Sequence, residues 1–451
     1  MCAIVGIADH KEASNLTYLG LHALQHRGQE GAGIVSTDGE QVFAHRRRGL
    51  VQDVFGNGSL ARLKGSAAIG HTRYSTTGSS NIANLGPLMM KSSLGWVSLA
   101  HNGNLVDGEK WTRKLEAEGA IFQSTNDTEV IIHLMARSGE KDLEAALIKA
   151  LKQVEGAFSI IAMNADKMVV VRDPRGFRPL LMGDLDGSTV FASEDTAFDL
   201  IGAKTVREVR PGEMITVSLR NHGAPESSFP FAPKEKAQCV FEYVYFSRPD
   251  STVFGSNVHE VRKELGRKLA KEQPAPDAHL VIPVPDSGVP AAIGFAEGAK
   301  IPFDMGIIRS HYVGRTFIEP QQSIRDFGVK LKLNPVRSAI QGKNIVVVDD
   351  SLVRGTTTRK LVKHLRDAGA NKVHIRISSP PITHSCFYGI DTPTRKELIA
   401  STHSTEYIRE YIGADSLGYL SEQGLMETAS AMSGRGFCDA CFTGKYPTAL
   451  N

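Results

Sequence analysis

The chain has 451 residues, more than one hydrophobic core usually serves, and its length predicts two or three domains. Lys and Arg number 52 against 49 Asp and Glu, which gives a formal net charge of +3 and 22% charged residues. This balance is typical of an ordinary soluble protein, and it gives no indication of a nucleic acid or membrane partner.

The start of the chain and its cysteines predict the compartment. No apolar run approaches the roughly 18 residues that span a bilayer. The first residues, MCAIVGIADH, lack the basic start and apolar core of a secretory signal, so we expect a cytoplasmic protein. An odd number of cysteines spread along the chain argues against a disulfide scaffold and favours catalysis or metal binding. They are Cys2, Cys239, Cys386, Cys438 and Cys441.

The first half has mixed elements. Short apolar runs at 3–8, 97–100, 158–163 and 167–171 are broken by turn residues and predict strands. Helical spacing at 14–24 and 127–137 predicts two helices, and Asn126 or Asp127 is a suitable cap for the second. This mixture indicates an α+β domain.

The stretch at 221–236, NHGAPESSFPFAPKEK, is rich in Pro and Ser and predicts a connection between domains at 1–230 and 231–451. Beyond it, a helix at 258–273 and buried strands at 279–284 and 345–348 are expected. A helix at 359–368 and a strand at 373–378 complete the alternation that is typical of a parallel α/β sheet. The tail at 396–432 has a helical pattern, and 433–451 is rich in turn residues.

Cys2 is a candidate nucleophile because removal of Met1 leaves a thiol and a free α-amine on one residue. An α-amine has a reference pKa of about 7.7–8.0, so its neutral fraction at pH 7 can act as the base. On its own, the position also fits a small buried residue that begins a strand.

Groups that would complete an acyl-transfer site lie further along. After the strand at 97–100, the polar residues HNGN are expected in a turn where the Asn102 amide and the Gly103 N–H point at an oxyanion. Arg73 can clamp a substrate carboxylate, and Asp127 can accept hydrogen bonds from an ammonium group. Taken singly, these residues equally fit a hairpin turn, a surface ion and a helix cap.

Together the motifs are specific. The series MCAIVGI, LQHRGQEGAGI, GHTRYST, AHNGNL and TNDTE resembles, in order, the N-terminal-nucleophile glutamine amidotransferases. The resemblance implies that Cys2 attacks the glutamine amide, that Arg73 and Asp127 hold its carboxylate and amine, and that Asn102 and Gly103 form the oxyanion hole. It also implies that Arg27 and Thr76 support the pocket. The implied fold of this half is the αββα sandwich of that hydrolase class.

A predicted strand at 345–350 ends in two carboxylates and is followed by SLVRGTTT at a helix start. Gly355 allows a close backbone approach, and the helix N-terminus favours an anion, so this segment predicts a phosphate site. Asp349 and Asp350 suit a ribose diol or Mg²⁺. The alternative is a strand with a polar end and a capped helix. The residues placed around the phosphate are Ser351, Arg354, Gly355, Thr356 and Thr357.

VVVDDSLVRGTTT resembles the diphosphoribosyl-binding signature of type I phosphoribosyltransferases, and VIPVPDSG at 281–288 matches the place of their pyrophosphate loop. The resemblance implies that Ser287 and Gly288 contact the pyrophosphate and that Ser287, Asp349 and Asp350 surround Mg²⁺. The segment at 309–335 is long for a plain connection and is expected to be a lid. Its candidate contacts are Tyr312, Arg315 and Lys330.

The whole chain is similar to the glutamine phosphoribosylpyrophosphate amidotransferase family. The resemblance implies that ammonia from glutamine attacks C1 of phosphoribosylpyrophosphate and gives 5-phosphoribosylamine, the first step of purine synthesis. It further implies an ammonia channel between the domains, inhibition by purine nucleotides and a homotetramer. Because free ammonia is lost to protonation in water, both sites would benefit from seclusion.

The other cysteines suit a four-thiolate site. Cys438 and Cys441 form a CxxC pair, and with Cys239 and Cys386 they can hold zinc or a [4Fe-4S] cluster, although unliganded thiols would show the same spacing. The resemblance is to the iron–sulfur branch of the family, which implies a structural [4Fe-4S] cluster at these positions. Many members of that branch carry a propeptide, but here Met1 alone precedes Cys2, so we expect methionine removal to suffice.

Two other functions were weighed. Another amidotransferase, one that makes glucosamine phosphate or asparagine, would share the first half, but the VVVDDSLVRGTTT segment argues against it. A non-catalytic sensor could use the phosphoribosyl fold to bind nucleotides. The presence of Cys2, Arg73, Asn102 and Asp127 disfavours that alternative.

Overall fold

The structure, a computed structural model, describes residues 2–56, 58–74, 81–221, 223–310, 333–434 and 436–450. Two antiparallel sheets form its first half and a parallel sheet organises its second half. The order of an α+β domain followed by an α/β domain is as predicted.

The first half alternates strands with short helices. The strands are β1 (Ala3–Ile7), β2 (Gly31–Thr37), β3 (Val42–Arg48), β4 (Ala67–Arg73), β5 (Leu88–Ser92), β6 (Gly95–Leu105), β7 (Gly156–Met163), β8 (Lys167–Arg172), β9 (Leu181–Leu185), β10 (Ser188–Ala192), β11 (Lys204–Glu208), β12 (Met214–Ser218) and β13 (Glu226–Ser228). The helices are α1 (Ala13–Ala23), α2 (Val51–Val54), α3 (Gly108–Ala117), α4 (Asp127–Ala136), α5 (Leu143–Leu151) and α6 (Thr196–Ile201).

These elements form four layers. A seven-stranded sheet has the order β11-β9-β10-β1-β4-β2-β3, and a six-stranded sheet has the order β13-β12-β8-β7-β6-β5. Apolar side chains of both sheets, such as Ile69 and Ile161, meet in one core. Helices α1 and α6 cover the outer face of the first sheet, and α4 and α5 cover that of the second. This is the predicted αββα sandwich.

Both faces of strand β1 are buried, which explains why apolar and polar residues do not alternate in the run at 3–8. Val5 packs toward the helices, whereas its neighbour Ile4 packs into the core between the sheets. Because successive side chains point to opposite faces and both faces are covered, each position is apolar.

The segment HNGN is not a turn, so that prediction was wrong. Strand β6 continues through it to Leu105 and pairs with β7, so that Asn102 lies opposite Ser159. The strand can continue because position 103 is glycine, since a Cβ there would lie 2.0 Å from the Ala157 carbonyl oxygen. The predicted linker is also partly a strand, because β13 pairs with β12 in the second sheet.

The second half follows the linker. Its strands are β14 (Gln238–Cys239), β15 (Thr252–Val253), β16 (Ser256–Asn257), β17 (Leu280–Pro283), β18 (Ile307–Arg309), β19 (Leu333–Pro335), β20 (Asn344–Asp349), β21 (Lys372–Ile377), β22 (Ser416–Tyr419) and β23 (Phe437–Cys438). Its helices are α7 (Val258–Glu272), α8 (Val289–Ala299), α9 (Arg337–Ile340), α10 (Thr356–Asp367), α11 (Thr405–Ile412), α12 (Glu422–Ser433) and α13 (Ala440–Thr443).

A parallel sheet with the order β17-β20-β21-β22 is covered on both faces, by α7, α8 and α12 on one side and by α10 and α11 on the other. Short 3-10 helices and one π-helical turn complete the described elements. They are Gln25–Arg27, Leu60–Arg62, Ile82–Asn84, Arg395–Glu397 and Ile399–Ser401, with the π-helical turn at Glu242–Phe246.

The tail at 396–432 is not helical throughout, which corrects the prediction. Strand β22 interrupts it and pairs in parallel with β21, with Ser416 opposite His374. The four residues are too few for periodicity to separate a strand from a helix. Across the described ranges, none of the helices has the length and apolar character that a membrane span needs.

Candidate active site

Cys2 lies directly before β1 and is buried. Its backbone nitrogen donates to Asn102 Oδ1 at 3.4 Å, and its carbonyl oxygen accepts from Arg27 Nε at 3.2 Å. The next residue, Ala3, donates from its backbone N–H to Thr72 Oγ1. Hydrogen bonds with β4, β6 and the 3-10 helix Gln25–Arg27 therefore hold the start of the chain in place.

His71 governs the acidity of the Cys2 thiol. Residues 2, 4, 71 and 73 share one face of the β1–β4 pair, because Ala3 lies opposite Thr72 and Ile4 opposite His71. Burial opposes ionisation, but the neighbouring His71, with smaller contributions from the N-terminal amine and the Tyr74 backbone, lowers the pKa of Cys2 to about 6. A thiol with this pKa is mostly thiolate at neutral pH.

The predicted oxyanion donors lie beside Cys2. Asn102 is fully buried, and its Nδ2 group has no hydrogen-bond partner within the described part of the chain. An orphaned donor in a buried site is costly unless a ligand accepts its hydrogen bond. Gly103 follows in the same strand, and its carbonyl lies close to Gly389 of the second half.

Arg73 and Asp127 approach the same region from two elements. Arg73 ends β4, is buried, and donates from Nη1 to the Asn84 carbonyl at 3.0 Å. Asp127 is the first residue of α4, which Asn126 caps as predicted, and its Oδ2 accepts from the Leu105 N–H at 2.8 Å. Thr76, the remaining predicted contact, lies outside the described residues.

Arg27 is buried among acidic side chains. Its guanidinium donates to Glu242 at 2.8 and 3.1 Å and also pairs with Glu194. Its central carbon lies 4.8 Å from the ring centre of Phe246. Arg27 therefore contacts the second half of the chain, and its supporting role in the glutamine pocket stays a prediction.

A second cavity opens where β20 meets α10. Gly355 caps the helix with φ of 71°, a left-handed conformation that favours glycine. Each residue predicted around the phosphate lines this cavity. The lining includes Ser287, Asp349, Asp350, Ser351, Arg354, Gly355, Thr356 and Thr357, together with Tyr74, Tyr245 and Phe246.

Burial makes both aspartates of the cavity harder to ionise than an exposed carboxyl group. Burial and the neighbouring Asp350 carboxylate raise the pKa of Asp349 well above its ordinary value. Burial also raises the pKa of Asp350, although hydrogen bonds from Ser287 and Ser351 oppose the rise. Gly288 lies behind the cavity as the cap of α8, where a Cβ would approach the Val348 carbonyl oxygen to 2.6 Å.

The predicted lid is described in part. Arg309, in β18, contacts Asp286 of the neighbouring loop at 2.6 Å. Strand β18 pairs with β19, so both ends of the segment are anchored. The candidate contacts Tyr312, Arg315 and Lys330 lie outside the described residues.

Cys239, Cys386, Cys438 and Cys441 line one cavity, whose other walls include Phe177, Tyr388 and Tyr446. Strands β14 and β23 pair in parallel and set Cys239 opposite Cys438. Burial raises the pKa of Cys239 to about 11 and also raises the pKa of Cys438 and Cys441.

The four thiols lie around this cavity. In the described ranges, no three His, Cys, Asp or Glu side chains are grouped so that they could hold a single metal ion. Soft sulfur donors are the ligands that zinc and iron–sulfur clusters use.

Several residues of the site could not be found from the sequence. His71 lies within the motif GHTRYST, so its position was visible in the sequence, but its proximity to Cys2 was not. Glu194 and Glu242 meet Arg27 only because the chain folds, with separations of 167 and 215 residues. Tyr74, next to Arg73, reaches the second cavity.

Comparisons with known proteins match both halves. A family model described as a glutamine amidotransferase domain matches residues 71–199. A model described as a phosphoribosyl transferase domain matches residues 259–378. The first range contains Arg73, Asn102 and Asp127, and the second contains Ser287 and the segment from Asp349 to Thr357.

Full-length relatives are also similar. The amidophosphoribosyltransferase of Bacillus subtilis strain 168 is 50% identical over 453 residues, which cover 100% of this chain and 94% of that protein. The Rhizobium etli enzyme of the same name is 51% identical over 457 residues, covering 100% and 92%. The chloroplastic amidophosphoribosyltransferase 2 of Arabidopsis thaliana is 52% identical over 448 residues, covering 99% and 79%.

Two solved structures have the same fold. One is the allosteric regulatory enzyme of purine biosynthesis, with a TM-score of 0.94, 50% identity, and coverage of 100% of this chain and 97% of that one. The other is the glutamine phosphoribosylpyrophosphate amidotransferase of B. subtilis in complex with ADP and GMP. Its TM-score is 0.93 at 50% identity, with coverage of 100% and 98%.

Proposed function

The chain belongs to the amidophosphoribosyltransferases, and from that premise we propose how its two sites share one reaction. The enzyme combines glutamine, phosphoribosylpyrophosphate and water into 5-phosphoribosylamine, glutamate and pyrophosphate, the first step of purine biosynthesis. The two sites proposed for it lie on either side of the junction between its halves.

At the first site, the thiolate of Cys2 attacks the glutamine amide carbon. Arg73 binds the substrate carboxylate and Asp127 its ammonium group, which fixes the amide in front of the thiol. The orphaned Asn102 Nδ2 supplies one hydrogen bond to the oxyanion, and the Gly103 N–H supplies another. The α-amine that Met1 removal frees protonates the departing ammonia and then activates the water that hydrolyses the thioester.

At the second site, the loop from Ser351 to Thr357 holds the 5-phosphate at the N-terminus of α10. Asp349 and Asp350 face the ribose, and together with the Ser287 hydroxyl they would hold Mg²⁺. The Mg²⁺ ion would supply positive charge to balance these two neighbouring carboxylates and the pyrophosphate. Ammonia then attacks C1 of the ribose and pyrophosphate leaves.

The observation that carries this proposal is the position of Tyr74. This residue directly follows Arg73 of the glutamine site, and its side chain lines the phosphoribosyl cavity. Its ring also contacts that of Phe246, with 6.4 Å between ring centres. The two sites therefore share a wall, and we propose that ammonia crosses there without entering water.

Isotope competition tests the channel. The enzyme is given glutamine labelled with ¹⁵N in the amide, together with unlabelled ammonium, and the phosphoribosylamine is trapped as it forms. A channel predicts product labelled almost entirely with ¹⁵N. Product whose label matches the mixed ammonia pool would contradict it.

We further propose that glutamine hydrolysis is slow until phosphoribosylpyrophosphate binds, because ammonia released without an acceptor is wasted. Glutamate release is measured with and without phosphoribosylpyrophosphate and Mg²⁺. Equal rates in the two conditions would count against this coupling.

For the four cysteines we propose a structural [4Fe-4S] cluster, which places the protein in the iron–sulfur branch. When bound, the cluster supplies four iron–sulfur bonds that cross-link the two ends of the second half. Cys239, Cys386, Cys438 and Cys441 would hold it, and Tyr388 N–H, which donates to Cys386 Sγ at 3.3 Å, would stabilise one sulfur. Brown protein with equal iron and sulfide is expected, whereas colourless protein that contains zinc would refute the cluster.

Purine nucleotides are the proposed regulators. A nucleotide 5′-phosphate has the same chemistry as the 5-phosphate and would compete for the cradle at Ser351 to Thr357. A neighbouring cavity offers basic groups for a second nucleotide, among them Arg248, Arg262 and Arg309. Competitive inhibition by GMP against phosphoribosylpyrophosphate is expected, and purely noncompetitive inhibition would contradict this site.

We also propose a homotetramer that works in the cytoplasm. Exposed apolar side chains such as Ile121, Trp96 and Ile82 are available for contacts between subunits. Light scattering coupled to size-exclusion chromatography gives the mass directly, and a monomer at micromolar concentration would contradict the tetramer.

A further inference from the structure

A cluster of buried charges crosses the junction between the two halves. Arg27, Arg178 and Glu194 come from the first half and Glu242 from the second, and all four residues are fully buried. Removing charged groups from water costs several kcal/mol for each ion unless the pairing is close. Arg27 is a predicted supporting residue of the glutamine pocket, but Glu242 is not among the described residues that line the phosphoribosyl cavity, and neither the glutamine chemistry nor the phosphoribosyl chemistry uses it.

Arg27 connects this cluster to the nucleophile. Its Nε donates to the Cys2 carbonyl oxygen at 3.2 Å. Its Nη2 and Nη1 donate to the two carboxylate oxygens of Glu242 at 2.8 and 3.1 Å. A bidentate pair fixes the plane and position of a guanidinium more strictly than a single contact does. Glu242 therefore sets where Arg27 holds the backbone of Cys2.

Glu242 is linked to the wall of the phosphoribosyl cavity through the turn that contains it. It is the first residue of the π-helical turn Glu242–Phe246, and Tyr245 and Phe246 of this turn line the cavity. Phe246 in turn packs under the guanidinium of Arg27. π-Helical turns are rare in proteins as a whole, and those that do occur often lie at functional sites. One five-residue turn thus contacts both sites, at its first residue and at its last.

We propose that Glu242 is a positioning residue that transmits occupancy of the phosphoribosyl cavity to Cys2. A ligand in the cavity packs against Tyr245 and Phe246 and fixes the turn. The Glu242–Arg27 pair then fixes the Cys2 carbonyl and so aligns the thiol with Asn102 and Gly103. The inference rests on the proposed dependence of glutamine hydrolysis on phosphoribosylpyrophosphate.

The size of the effect follows from geometry. A displacement of about 1 Å at a reacting atom can cost about 100-fold in rate. A small shift of the turn, passed through a bidentate pair to the residue that carries the nucleophile, is therefore sufficient to control hydrolysis. No large domain movement is needed.

The test uses the full-length enzyme with Glu242→Gln, which keeps the shape of the side chain and removes its charge. Glutamine hydrolysis is measured with and without phosphoribosylpyrophosphate and Mg²⁺, and the stimulation is the ratio of the two kcat values. The stimulation is expected to fall about tenfold, through kcat and not through KM for glutamine. Ammonia-dependent synthesis is expected to stay at the wild-type rate.

Glu208→Gln is the matched control. Glu208 also joins the two halves, because its Oε1 accepts from the Phe254 N–H at 2.6 Å, but it has no contact with Arg27 in the described structure. Its stimulation ratio should equal that of the wild type. A fall of equal size in both variants would show that any weakened junction has this effect and would overturn the specific role of Glu242.

A second variant guards against misfolding, since Glu242→Gln leaves two buried guanidiniums with less compensating charge. Ser247→Ala keeps the charges and removes the hydrogen bond from Ser247 Oγ to Glu242 Oε2, which is 2.6 Å long. Its stimulation should fall about threefold. Wild-type stimulation in Ser247→Ala, or in a folded Glu242→Gln, would overturn the inference, whereas a wild-type enzyme with no stimulation would instead overturn the proposed coupling.

Discussion

Cys2 and Cys239 are both buried thiols of one chain, yet their acidities differ by a wide margin. At Cys2, burial is outweighed by the neighbouring His71, and the pKa falls to about 6. At Cys239, burial dominates, and the charge of Arg178 does not offset it, so the pKa rises to about 11. The comparison shows that burial alone does not determine thiol chemistry. A nearby imidazole favours the thiolate at Cys2, whereas burial among other thiols favours the protonated form at Cys239.

The largest expected effect is that of Cys2→Ala, since it removes the only acidic thiol of the pair. Glutamine-dependent synthesis should fall at least about 1000-fold. Ammonia-dependent synthesis should persist, because the phosphoribosyl cavity is untouched. Glutamate and pyrophosphate release are measured together. Glutamine-dependent pyrophosphate release that survives in this variant would contradict the proposed role of Cys2.

Cys438→Ser should change iron content and stability, which Cys2→Ala leaves unchanged. It removes one sulfur from the four-cysteine cavity, so iron content should fall and the protein should lose about 3 kcal/mol, or about 10 °C in Tm. Cys2→Ala should keep the wild-type iron content and Tm. If Cys438→Ser retains full iron, the cavity is not the cluster site.

The pH dependence of alkylation separates the two thiols without mutation. Because the pKa of Cys2 is lowered to about 6, its thiolate forms as the pH rises through 6 and is complete above pH 7. The rate of iodoacetamide labelling at Cys2, followed by peptide mass spectrometry, should therefore level off near neutrality. A rate that still climbs through about pH 8.5, the ordinary range of a free cysteine, would contradict the low pKa.

The smallest expected effect is that of His71→Asn. Loss of the imidazole charge should raise the labelling midpoint of Cys2 by about one pH unit. His45→Asn, in β3 of the same sheet, is the control, because His45 contacts the Val54 carbonyl and lies apart from Cys2. An unchanged midpoint in His71→Asn would assign the low pKa to another group.

Much of the fold could be predicted because burial on both faces leaves an apolar signature. Strands β1 and β20 are continuous apolar runs for this reason, and α4 begins at the capping residue that the sequence offers. The HNGN segment misled the prediction because its polar side chains suggest a turn. The backbone partner that keeps it extended, β7, lies more than 50 residues away.

The candidate site was predictable where one short motif carries it. The phosphate loop and both aspartates follow one another and line one cavity. Glu194 and Glu242 carry no such signal, since each meets Arg27 only through the folded chain. Lone acidic residues in a sequence are usually solvated, so long-range burial is needed to single them out.

The pairing of β14 with β23 has a consequence for the order of biogenesis. Gln238 and Cys239 leave the ribosome early, whereas their partners Phe437 and Cys438 are synthesised after the rest of the parallel sheet. The first domain can fold during translation, but the four-cysteine cavity stays open until β23 arrives. The proposed cluster would therefore be inserted late in the synthesis of each chain, and a chain terminated before residue 437 would have a complete first domain and an open four-cysteine cavity.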